Sequence, residues 1–190
     1  MTDIKEAIIK ATTDIIEENK GDIKAVTARA IAERCDIALG LINYHFKSKD
    51  KLIELCVQRI VNKILLCFYI GSGENAQTNV VSKVTEQAKQ IMDFFFENKA
   101  MAKIFILSDF KEYHPKNNSV STQNGLKLAV GNRIDNNRKR ILAFVLTSAM
   151  ETAFLAGDRS KEILGCDLND KEERGRFVED TVNMLFQGVL

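Results

Sequence analysis

Apolar residues recur every three or four positions along most of this 190-residue chain, and nowhere do they alternate with polar ones over the length of a strand. A period near 3.6 gathers such residues on one side of a helix, whereas a half-buried strand needs a period of two. The single proline and ten scattered glycines supply few of the breaks that a sheet of short strands requires. The chain is therefore expected to be all-α. With 45% hydrophobic and 28% charged residues it can bury a core. Its length suits one large domain, or a small domain joined to a medium one.

Read in order, the first helix is expected from about Thr2 to Asn19, with Ile4, Ile8, Ala11 and Ile15 on one face and Gly21 as its left-handed stop. Thr27 is a natural N-cap for a helix over Ala28–Cys35. A brief turn at Asp36-Ile37 precedes a short helix, Ala38–Phe46, and Ser48 caps a fourth that runs to about Ile70. "GSGENAQT", residues 71–78, reads as a linker, followed by helices at roughly 78–98 and 100–112. "YHPKNNSVST", 113–122, is expected to be a loop, and 123–136 is ambiguous because Gly125 and Gly131 interrupt an amphipathic pattern. Two helices, about 137–156 and 169–188, close the chain on either side of a polar stretch.

The second and third helices have helix-turn-helix dimensions. Ile31, Ala32, Ile37, Ile42 and Phe46 are apolar where these helices must pack on each other and on the first. That leaves Ala38, Leu41, Asn43 and Tyr44 as an outward strip, with Gly40 allowing close approach. A helix of this size fits the major groove of B-DNA with its N-terminal residues nearest the bases. Tyr44, His45, Lys47 and Lys49 follow where flanking phosphates would lie. Residues 24–51 carry six basic groups against three acidic ones, a modest positive patch in a chain of net charge +1.

The segment "VTARAIAERCDIALGLINYHFKSKDKLIELCV" resembles the DNA-binding signature of the TetR family of bacterial transcriptional regulators. The resemblance covers residues 4 to about 57 closely and the remainder by helical layout. It implies an N-terminal three-helix helix-turn-helix domain (1–47) joined to a helical ligand-binding and dimerisation domain (48–190). It also implies backbone contacts from Thr27, Tyr44, His45 and Lys49, and base contacts from Leu41 and Asn43. The family usually has Gly at position 36, Ser or Thr at 38 and a polar residue at 39, where this chain has Asp36, Ala38 and Leu39. The lost cap at Ala38 costs the third helix about 1 kcal/mol. The implied function is repression of transcription at a palindromic double-stranded DNA operator, relieved when a small-molecule effector tilts the fourth helix.

For the effector, the resemblance implies an apolar pocket in the C-terminal domain, with Met92, Phe95, Phe96, Phe105 and Phe110 as its candidate lining. For the homodimer, the closing helices offer a stripe of Leu142, Leu146, Ala149 and Ala153 and another of Val178, Val182, Leu185 and Val189. Each helix also has a second apolar row (Val145, Met150, Phe154; Phe177, Met184, Phe186), so one face can pack at home and one needs a partner.

Two other readings compete. A cysteine-based redox regulator would use Cys35, Cys56, Cys67 or Cys166, though Cys56 and Cys67 would sit ~16 Å apart along one helix, too far to bond. A helical enzyme or carrier would need a catalytic set, and no phosphate loop, zinc-spaced histidine pair or nucleophile elbow occurs. Neither a metal site nor a cofactor is expected. No signal peptide or membrane-length apolar run is read, which makes a cytoplasmic location the expectation.

Overall fold

The computed structural model describes residues 4–59, 79–132 and 134–187. Among these residues there is no strand. The helices are α1 (Ile4–Glu18), α2 (Ala28–Cys35), α3 (Gly40–Phe46), α4 (helical over 49–59), α5 (Val80–Glu97), α6 (Lys99–Lys111), α7 (Asn118–Val130), α8 (Asn136–Ala156), a 3₁₀ turn (Gly157–Arg159), α9 (Ser160–Leu164) and α10 (Lys171–Phe186). The expected linker at 71–78 and the expected end of α4 near Ile70 lie outside the described residues. By compactness the described chain divides into 4–59 with Asn98–Leu107, and 79–97 with 108–187. The first unit therefore runs past residue 47 and takes in most of α6.

In the first unit Ile8, Ile15, Ile16, Val26, Ile31, Ile42 and Leu52 are buried, the face that the 3.6-residue period selects. Ala32 on α2 is buried as well, 4% exposed. Ile37 and Phe46, also expected inside, are only half-buried. Two bidentate pairs tie the surface together: Arg34 donates to Glu18 at 2.6 and 2.7 Å, and Arg59 to Glu6 at the same distances. These hydrogen bonds hold both glutamates below the usual carboxylate range. α1 ends in two left-handed residues, Lys20 (φ 51°) and Gly21 (φ 76°).

In the second unit α5 packs against α10 and α7, and α8 against α7 and α10. Val84, Met92, Phe95, Leu126, Leu146, Met150, Val178 and Val182 form its interior. Arg174 is 6% exposed and fully employed. It donates to Asp93 at 2.7 and 3.0 Å and to the carbonyls of Leu168 and Asn169, with its guanidinium 4.7 Å over the Phe96 ring.

Three boundaries differ from the sequence expectation. The loop expected over 113–122 is shorter, because α7 begins at Asn118 and runs through Gly125 to Val130. Its start is held by Asp109 of α6, which accepts from the Ser119 amide at 2.7 Å and the Ser119 hydroxyl at 2.9 Å. The separator after α8 contains the 3₁₀ turn and α9. α10 starts at Lys171, where Asp170 accepts from the amides of Glu172 and Glu173. Asn136–Leu164 is long and apolar enough to cross a membrane by length and composition, and 44% of its apolar 18-residue window is buried in the fold.

Candidate nucleic-acid interface

The helix-turn-helix is built from its caps outward. The Ala30 amide donates to the Thr27 hydroxyl at 3.1 Å, so Thr27 starts α2 as the sequence indicates. α2 ends at Asp36, which is left-handed (φ 52°, ψ 50°) and donates its amide to the carbonyls of Ala32 and Glu33. Glycine would adopt this conformation without cost. α3 begins two residues later than expected. Leu39 is its N-cap and provides no side-chain bond, while Leu41 and Ile42 donate to the carbonyls of Ala38 and Leu39 at three-residue spacing. Without a capping side chain at 38, the first turn closes as the tighter form. The Lys51 amide donates to Ser48 at 3.2 Å, the expected cap on α4.

Ile42, fully buried, anchors α3 and fixes which side faces out. On that outward side lie Ala38, Leu39, Gly40, Asn43 and Tyr44, all exposed. Tyr44 is 81% exposed and Leu39 51%. Leu41 and His45 are half-buried, and the His45 ring meets the Tyr44 ring edge-on at 5.0 Å. Lys47 is exposed in a positive-φ conformation (φ 68°) at the end of α3, and Lys49 is half-buried with Asp50 3.9 Å away. A β-carbon at Gly40 would meet nothing within 4 Å, and its φ is not positive, so the fold itself makes no demand for glycine there.

Of the other basic groups, Arg29 pairs with Glu33 at 2.9 Å and Lys51 with Glu54 at 2.6 Å. Exposed pairs of this kind contribute little and exchange readily for phosphate. A notch bordered by Arg29, Ala32, Asp36, Ile37 and Leu39 lies between α2 and the start of α3.

Of the residues expected at a dimer interface, Leu142, Leu146, Ala153, Val178 and Val182 are buried in the core of the second unit. Ala149 and Leu185 are half-buried, and Val189 lies outside the described residues. The outward apolar residues are Ile141 (63% exposed), Phe144, Val145 and Met184 (64% exposed). The second row read from the sequence is split: Met150, Phe154 and Phe186 are buried, Val145 and Met184 are exposed, and the exposed Ile141 and Phe144 belong to neither row. Among the pocket candidates, Met92 and Phe95 are buried in the second unit and Phe105 in the first. Phe96 packs edge-on against Phe154 at 5.4 Å, and Phe110 is 45% exposed.

Sequence reading also missed a buried polar group in the second unit. Asp109, Ser119, Thr147 and Glu151 are each at most 5% exposed. Burial pushes the Glu151 carboxyl up to about 7; a Ser119 hydrogen bond opposes this and the Asp109 charge adds to it. These residues are far apart in sequence, and no local pattern announces them.

Among the described residues the chain is helical without strands, and its first unit holds α3 outward on the buried faces of α1 and α2, the arrangement of a helix-turn-helix fold. Residues 8–56 match the family of bacterial regulatory proteins, tetR family. A transcriptional regulator from Rhodococcus sp. Rha1 is 15% identical with TM-score 0.69, over 97% of this chain and 96% of that one. A regulator of the TerR/AcrR family from Aquifex aeolicus VF5 is 15% identical with TM-score 0.68, over 96% and 99%. Mycobacterium smegmatis BioQ is 16% identical with TM-score 0.66, over 95% and 96%. No curated protein matches the sequence. The N-terminal segment is thus that of the TetR family, and the chain has the fold of TetR-like regulators.

Proposed function

We propose that this protein is a cytoplasmic, ligand-responsive transcriptional repressor that binds a palindromic double-stranded DNA operator as a homodimer. The observation that carries this reading is the strip of Leu39, Gly40, Asn43 and Tyr44 on α3, exposed above a buried Ile42. Leu39 offers methyl groups suited to thymine, with half-buried Leu41 beside it, and Asn43 is suited to adenine, so an A/T-containing half-site is expected under α3. Thr27, Tyr44, His45, Lys47 and Lys49 contact phosphates, and Ala38 and Gly40 permit the close approach.

The homodimer forms through the outward row of α8 and α10, with Ile141, Val145 and Met184 at its centre and half-buried Ala149 and Leu185 at its border. Twofold symmetry then presents two recognition helices to half-sites one helical turn apart, about 34–36 Å. An effector bound in the second unit alters that spacing and releases DNA.

The redox alternative draws little support. Burial pushes the thiols of Cys35, Cys56 and Cys166 upward, the opposite of what a reactive thiolate needs. Cys67 lies outside the described residues.

Fluorescence anisotropy with labelled duplex DNA at several salt concentrations tests the reading. Tyr44→Ala and Lys49→Ala should weaken specific and non-specific binding alike, and Lys49→Ala should lower the salt slope by about one. Full affinity in both variants would remove the interface.

A further inference from the structure

The buried polar group at the end of α6 and on α7 and α8 is unbalanced in charge and in hydrogen bonds. Asp109 accepts from the Ser119 amide and hydroxyl, and the Ser119 hydroxyl also bears on the Glu151 carboxyl. One oxygen of Glu151 and the hydroxyl of Thr147 are fully enclosed without a partner, and the two residues sit one turn apart on α8. Buried acceptors without donors cost on the order of 1–3 kcal/mol each, more when charged, so such groups are seldom kept without a use. What the group lacks is a positive charge bearing several N–H donors.

The surroundings narrow the occupant further. Phe144 lies one turn before Thr147 on α8, and its ring meets that of Tyr113 edge-on at 6.3 Å. The Tyr113 hydroxyl accepts from Gln123 at 2.6 Å, and Tyr113 is 48% exposed and Phe144 49%. The aromatic pair is thus open to solvent on the helix turn next to the enclosed Thr147. Aromatic faces and a carboxylate together favour a cation on an apolar body.

We infer that Asp109, Thr147 and Glu151 form the floor of a site for a primary ammonium group on an aromatic or short alkyl body, with Tyr113 and Phe144 as its rim. This rests on the reading of the second unit as the effector-sensing one, and it assigns that effector a chemical class. The ammonium nitrogen donates to the free oxygen of Glu151, to the Thr147 hydroxyl and to Asp109, and it supplies the missing charge. A neutral alcohol of the same shape brings one donor and no charge. An anion is repelled.

The test is a thermal-shift and calorimetric titration of the full chain with benzylamine, benzyl alcohol and benzoate at pH 8. Benzylamine should stabilise the protein, and the other two should bind at least tenfold more weakly or not at all. Glu151→Gln should lose at least tenfold in benzylamine affinity. Thr147→Val, which keeps shape and removes the hydroxyl, should lose several-fold while folding normally, so the inference remains testable even if the first variant misfolds. It is overturned if benzylamine gives no shift, if benzyl alcohol matches it, or if neither variant changes its affinity. A parallel duplex-binding assay without amine separates the two claims. DNA binding without amine binding removes only the ammonium site, and amine binding without DNA binding removes only the regulator reading.

Discussion

Gly21 stands so close to Ala100 that a β-carbon added to it would lie 2.5 Å from the Ala100 carbonyl oxygen. Its φ of 76° independently favours glycine. The contact joins the end of α1 to the second residue of α6 within one unit, 79 positions later in the chain. Gly21→Ala therefore meets a backbone atom and a strained dihedral together. It should destabilise the first unit by about 2 kcal/mol or more. Urea denaturation followed by circular dichroism measures this, and a variant as stable as the parent would contradict the contact.

Gly40 makes the opposite prediction. Among the described residues nothing lies within 4 Å of a β-carbon there, and helix propensity favours alanine by at most about 1 kcal/mol. Gly40→Ala should keep or slightly raise the melting temperature while weakening DNA binding at least tenfold, because the added methyl separates α3 from the groove. Melting and anisotropy on the same preparation decide the matter. Unchanged binding would mean that α3 does not approach DNA at this residue.

Glu151 gives the fold a pH dependence of known sign. Its carboxyl is raised from 4.5 to about 7, with Ser119, Asp109 and Tyr113 facing it. The folded state therefore holds this proton more tightly than the unfolded chain does. Its stabilising effect is complete below about pH 4.5 and is lost as pH rises through about 7. By linkage the difference is roughly 3 kcal/mol. Glu151→Gln should match the parent near pH 4.5 and exceed it by a few kcal/mol at pH 8, as read by chemical denaturation at both values. A gap that stays constant with pH would show that Glu151 is not titrating in this range.

The outward row of α8 and α10 separates assembly from folding. Ile141→Glu with Met184→Glu should yield a helical monomer by sedimentation, since both side chains are more than 60% exposed in the single chain. Leu146→Glu should instead abolish cooperative unfolding, because Leu146 is fully buried. If the Ile141, Met184 variant stays dimeric, the second chain docks elsewhere.

Much of this was legible in residue order because the signals are local. Thr27 and Ser48 are caps three residues from the amides they satisfy, and Ile42 falls on the helical period that buries it. The start of α7 was not legible, because the group satisfying Ser119 is Asp109, ten residues upstream on another helix. The late start of α3 follows from a missing cap, which sequence showed, but its extent depended on how the turn closed. On α8 and α10 both apolar rows were visible in the sequence. Which apolar residues face inward depends on helix rotation against α5 and α7: Met150, Phe154 and Phe186 of the second row turn inward with the first, while Ile141 and Phe144, in neither row, turn out. The buried group around Glu151 is invisible for a related reason: a glutamate on a helix reads as surface until its neighbours are known.

Selection of bound fragments from a random pool of duplex DNA, with the purified full chain, reads the operator itself. The enriched sequence should be a palindrome whose half-sites contain A·T pairs and are centred about one helical turn apart, with enrichment lost when Tyr44→Ala replaces the parent. Recovery of unrelated sequences without twofold symmetry, or equal enrichment by both proteins, would contradict the proposed function.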